Sequence, residues 1–168
     1  MRNVISIRVQ NVPGVLSHVA GLLAARGYNV DSLTVGATED PTISRMTIVL
    51  DVAEDLARQV CSQLQKLVTV VETENLSCVP HVERELALIR VATPQGKRSE
   101  IVELTNIFRA GIVDVGVDSV MIEISGRGDK LDAFLKALRP YRILNMTRSG
   151  CIAAARRQDS AIEEEDNK

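Results

Sequence analysis

Aromatic side chains are nearly missing from this chain: two Phe, two Tyr and no Trp in 168 residues. Nucleic-acid binders that stack bases need such platforms, so that class is disfavoured. Histidine is equally scarce. His18 and His81 have no Cys or carboxylate at metal-ligand spacing, which argues against a metal or acid–base centre built on either. The three cysteines, Cys61, Cys78 and Cys151, are odd in number, widely spaced and without a C-x-x-C pair, so neither a disulfide framework nor a zinc site is expected. No apolar run approaches the roughly 18 residues of a membrane span, and the first ten residues have no signal-peptide core. Walker, G-x-G-x-x-G, H-E-x-x-H and G-x-S-x-G motifs are all absent. A soluble, cytoplasmic protein of a reducing compartment is expected.

What is present is an aliphatic chain, 45% apolar with a net charge of −2. Its core must be built from Val, Ile, Leu and Ala, which suits closely packed strands and helices. The charge is uneven, −2 over residues 1–77, +4 over 78–157 and −4 over 158–168. The basic middle segment reads as a solvated surface or as a face for an acidic partner.

Periodicity divides the chain into elements. Ile5, Ile7 and Val9 alternate as a strand, after which Val15, Val19, Leu22 and Leu23 follow helical spacing up to Gly27. Two strands follow, residues 29–36 and 45–52, the second with Met46, Ile48, Leu50 and Val52 on one face. A helix over 54–66, with Leu56, Val60, Leu64 and Leu67 inward, leads to a strand over 68–76. The order is β-α-β-β-α-β, with both helices on one face of an antiparallel sheet, and the other face needs cover from elsewhere.

Beyond a junction at 79–84 the order repeats. Strands are expected at 86–93, 112–117, 120–125 and 142–149. One helix carries Ile101, Leu104, Thr105 and Phe108, and another carries Leu131, Phe134, Leu135 and Leu138 and stops at Pro140. The fold class is therefore α+β, two ferredoxin-like βαββαβ domains over 1–77 and 78–157, followed by an acidic tail over 158–168 that is expected to be disordered.

The run Asn11-Val12-Pro13-Gly14-Val15-Leu16 joins the first strand to the first helix. The first amides of a helix have no internal partners and face outward, Gly14 has no Cβ, and Asn11 offers a side-chain amide, so a small carboxylate can approach the positive end of the helix. The plainer alternative is that Asn11 caps the helix and Pro13-Gly14 is a tight turn. The run 8–12 superficially resembles the phosphate loop of acylphosphatases, which have the same split βαβ order. No arginine follows before Arg26, so phosphate catalysis is disfavoured.

With residues 11–17, Gly21, 26–33 and 44–48 taken in order, and then 63–68, 83–86, 130–134 and Arg148-Ser149-Gly150, the chain resembles the regulatory small subunits of acetohydroxyacid synthase, also called acetolactate synthase. The resemblance implies that residues 1–77 form an ACT domain that pairs edge to edge in a homodimer. It also implies that an effector amino acid, valine in most members, lies between the first loop of one chain and the second strand of the other. Carried over by position, Asn11, Gly14, Val15 and Leu16 stand on one side of the ligand and Asn29 and Val30 on the other.

The implied partner is the catalytic large subunit, which condenses pyruvate with pyruvate or 2-oxobutanoate. Thiamine diphosphate, magnesium and FAD are expected on that subunit alone, and no catalytic or metal-binding residue is expected here. The small subunit would raise the activity and confer feedback inhibition in branched-chain amino-acid synthesis. The alternative is a free-standing ACT-domain amino-acid sensor acting on another enzyme or a transcription factor. Arg148-Ser149-Gly150 is a landmark of the resemblance with no chemistry of its own, and the acidic tail extends past the family pattern.

Overall fold

A computed structural model describes residues 1–156; the acidic segment read as a tail lies outside the described residues. The first unit runs β1 (Arg2–Gln10), α1 (Val15–Ala25), β2 (Val30–Ala37), β3 (Ile43–Asp51), α2 (Glu54–Leu64) and β4 (Val70–Asn75). The second runs β5 (His81–Ala92), α3 (Arg98–Ile107), β6 (Gly111–Val115), β7 (Ser119–Gly126), α4 (Gly128–Ala137) and β8 (Ile143–Arg148), and a last strand, β9, covers Ile152–Ala155. Strand orders are β2-β3-β1-β4 and β6-β7-β5-β8, with every pairing antiparallel. Both units are thus ferredoxin-like, as the periodicity predicts.

The first core gathers Ile5, Ile7 and Val9 of β1 and Met46, Ile48 and Leu50 of β3 beneath Val15, Val19 and Leu23 of α1 and Val60 and Leu64 of α2. Each such side chain contributes about 1.5–3 kcal/mol on burial. One expected position is displaced: Leu56 stands outward, 41% exposed, and Ala57 takes the inner place. A small residue there lets α2 approach the sheet. In the second core the chain's two phenylalanines meet, Phe108 on Phe134, with ring centroids 5.1 Å apart and planes tilted by 56°.

The open face of the first sheet is covered by the end of the second unit. Strand β5 begins at His81, inside the expected junction, because β9 pairs with its first four residues, from His81 opposite Ala155 to Arg84 opposite Ile152. This ribbon places Cys151 and Ala153 over Val4 and Val49, with Leu76 and Val79 alongside. No sequence reading anticipated β9. Its Ile-Ala-Ala-Ala run has no alternation to betray a strand.

Candidate functional site

The loop that ends β1 is held by the hairpin between β2 and β3. The Asn11 amide donates to the Thr42 carbonyl (2.7 Å), and Asn11 Nδ2 donates to the Pro41 carbonyl (3.0 Å). The hairpin is itself pinned by Asp40, whose Oδ1 accepts from the Thr42 amide (2.8 Å) and the Thr42 hydroxyl (2.6 Å). Those two bonds hold the Asp40 carboxyl below its ordinary value.

Asn11 therefore does not cap α1. Gly14 occupies the cap position at φ +87°, without any side-chain bond to the helix, a backbone conformation that favours glycine. The first bond into the helix runs from the His18 amide to the Gly14 carbonyl (3.0 Å). The amides of Val15, Leu16 and Ser17 lie ahead of that bond, outside the helical ladder. Val15 turns its side chain into the core at 3% exposure, so only its backbone faces the loop. Leu16 remains 47% exposed beside an exposed Asn11 and Gly14.

Asn29 and Val30 stand elsewhere. The chain leaves α1 through Gly27 at φ +70°, Asn29 is exposed, and Val30 is half-buried against the first core. Val30 pairs with Leu50, whereas Gln10 pairs with Ile43 and Ala37 with Ser44. At roughly 3.4 Å per residue the two groups are about 24 Å apart along β3, from Ile43 to Leu50. One chain does not bring its six candidate residues together. β2 is also an edge strand, so its outer row of backbone groups has no partner among the described residues.

Other side chains provide little for catalysis. Burial pushes the Cys61 and Cys151 thiols up to about 11, far from a reactive thiolate at neutral pH. His81 Nδ1 is 2.9 Å from the Val79 carbonyl, and His18 is exposed on α1. Among the described residues no cluster of His, Cys, Asp and Glu is arranged to hold a metal, and no helix is long and apolar enough to cross a membrane.

A cleft of about 710 Å³ separates the two units. One ion pair crosses it and two more line its second-unit wall, all of them missed by sequence reasoning. Arg2 of β1 donates to Glu83 (2.7 Å), and Arg148 reaches both Glu85 (2.5 Å) and Asp132 (3.1 Å). The available signal was two acidic residues at strand spacing, Glu83 inside the expected junction and Glu85 just past its end.

Residues 5–72 match the family model for the ACT domain of acetohydroxyacid synthase small subunits, and residues 84–157 match the model for the small subunit of acetolactate synthase. The chain belongs to the acetolactate synthase small subunit family. It is 49% identical to a probable acetolactate synthase small subunit of Archaeoglobus fulgidus over 156 residues, covering 93% of this chain and 98% of that one. It is 42% identical to the acetolactate synthase small subunit of Aquifex aeolicus, covering 99% and 86% respectively. The crystal structure of the Thermotoga maritima acetolactate synthase small subunit superposes with a TM-score of 0.86 at 37% identity, covering 94% of this chain and 99% of that one. This member of the family has two ferredoxin-like units, a β5–β9 ribbon that packs on the first sheet, and a β2 edge with no strand partner among the described residues.

Proposed function

We propose that this chain is a regulatory subunit without catalytic activity of its own, which activates the catalytic large subunit of acetolactate synthase and makes it sensitive to inhibition by valine. The carrying observation is the register of the first sheet. The loop amides and the Asn29–Val30 segment sit at opposite ends of the sheet, and β2 is an open edge. A two-fold axis that pairs β2 with β2 of a second copy, antiparallel, joins two four-stranded sheets into one of eight. It also sets the Ala37 end of one protomer against the Val30 end of its partner.

In that homodimer Gly14, Val15 and Leu16 supply amides for the ligand carboxylate, and the Asn11 and Asn29 side-chain oxygens accept from the ammonium. Leu16 and Val30 give the branched side chain an apolar wall. Both ligand charges are then hydrogen-bonded, which offsets the cost of taking them out of water. Thiamine diphosphate, magnesium and FAD are assigned to the large subunit, since this sequence carries no diphosphate loop.

Calorimetric titration of the purified chain with valine, with serine as control, tests the effector assignment. Saturable binding of two valines per dimer, selective over serine, is the expected result. Binding that is absent, or equal for serine, overturns it. Reconstitution with the large subunit tests the partner: valine binding without any effect on acetolactate formation would point to a free-standing sensor.

A further inference from the structure

We propose that the turn Arg148-Ser149-Gly150, seated against Ser32 and Thr34 of β2, carries effector occupancy from the first unit into the second. The inference rests on the valine reading above and assigns its route through this chain.

Strand β2 holds Val30 at the candidate site. Two and four residues further on, Ser32 and Thr34 meet the far end of the chain. Thr34 Oγ1 donates to the Cys151 carbonyl (2.7 Å), and the Cys151 amide donates to Ser32 Oγ (3.4 Å). Gly150 lies between them at φ +79°, and a Cβ built on it falls 3.0 Å from Thr34 Cγ2 and 3.4 Å from the Ser32 Cβ. Backbone conformation favours glycine there, and a methyl would also force Thr34 to give by a few tenths of an ångström.

On its other side the same turn is locked to the second unit. The Ser149 amide donates to the Leu86 carbonyl (2.9 Å), and the Leu86 amide donates to Ser149 Oγ (3.0 Å). Arg148 bridges Glu85 of β5 and Asp132 of α4. Consecutive residues 148–151 thus contact β2, β5 and α4. A shift of β2 when its Val30 end takes a ligand is passed to the turn through the Ser32 and Thr34 contacts, and from the turn to α4 through Arg148.

The Arg148-Ser149-Gly150 landmark acquires a physical role in this way. Its residues are positioning residues, remote from the ligand itself. A ligand moves this linkage only by favouring one arrangement of β2 over another, so the linkage is read out as a difference in inhibition and exchange.

Thr34→Val keeps the side-chain shape and deletes only the bond to Cys151; Gly150→Ala presses a methyl onto Thr34. Each variant is titrated with valine by calorimetry and then assayed with the large subunit. The expected result is valine affinity within about threefold of wild type, retained activation, and a rise of about tenfold in the valine concentration that half-inhibits the complex. Hydrogen exchange on the wild-type protein should show the amides of Leu86, Ser149 and Cys151 responding to valine. If Gly150→Ala does not fold, Thr34→Val decides.

Wild-type sensitivity in a folded Thr34→Val complex overturns the proposal and leaves the valine site standing, as does unchanged exchange at those three amides in saturating valine. Loss of valine binding itself in Thr34→Val also overturns it, because the residue would then shape the site instead of relaying it. A wild-type chain that binds no valine removes the effector reading, and this route with it.

Discussion

Asn11 and Val30 stand at opposite ends of one four-stranded sheet, the first tied to the Pro41 carbonyl beside the end of β3 that begins at Ile43, the second paired with Leu50 near its other end. A ligand that touches both must be held by two chains. That relationship turns a resemblance in sequence into a statement about assembly, and several consequences can be measured.

Gly14→Asp should abolish valine inhibition of the reconstituted enzyme and leave activation by the small subunit intact. Gly14 has φ +87° and nothing within 4 Å of a built Cβ. The variant therefore costs only about 1–2 kcal/mol of backbone strain, but it places a carboxylate where the ligand carboxylate belongs. Inhibition curves with and without the substitution check this; normal valine sensitivity would show that the loop is not the site.

Val35→Lys should convert the proposed dimer to a monomer and eliminate valine binding. Val35 is 48% exposed on the open β2 edge. Charged edge residues oppose strand pairing, and a two-fold interface would bring the two lysines into one seam. Sedimentation equilibrium gives the mass directly, and an unchanged dimer would exclude β2 pairing.

Cysteine reactivity should separate the three thiols. Cys61 and Cys151 are pushed up to about 11 by burial, whereas Cys78 is exposed. Ellman titration of the native protein near pH 8 should therefore show one fast thiol per chain and two that react only on unfolding. Alkylation followed by peptide mapping should place the fast one at Cys78.

Acid should loosen the hairpin beneath the loop. The Thr42 hydroxyl and amide hold the folded Asp40 carboxyl below its ordinary 3.8. The contribution of these bonds is therefore full above that value and is lost as the pH falls through the lower folded one. The Thr42 amide resonance should follow a titration midpoint below 3.8, and Asp40→Asn should remove that titration.

Most of the fold was legible because each strand and helix has one buried face. Ile5, Ile7 and Val9, or Met46, Ile48 and Leu50, announce their elements by spacing alone. The β5–β9 ribbon was not legible, because Ile152–Ala155 takes its conformation from pairing with His81–Arg84 and not from a pattern of its own. In the candidate site, Gly14 and the unpaired amides were readable from Pro13-Gly14 at a helix start. The true role of the Asn11 amide depends on the Thr42 hairpin, 31 residues away in sequence. The contact of Gly150 with Ser32 and Thr34 escaped notice for the same reason: Thr34 and Gly150 are 116 residues apart, although Arg148-Ser149-Gly150 stood out as a landmark.

The central claim, a valine site shared between two chains, is tested most directly by a mixed dimer. One chain carries Gly14→Asp and the other a disrupted β2 entry, Asn29→Asp with Val30→Asp; the two are differently tagged, co-expressed and purified as the heterodimer. Neither homodimer should bind valine. The heterodimer should bind one valine, because pairing joins one intact loop to one intact β2 end and both lesions fall in the other site. A heterodimer that binds no valine while the wild-type dimer binds two would contradict a shared site.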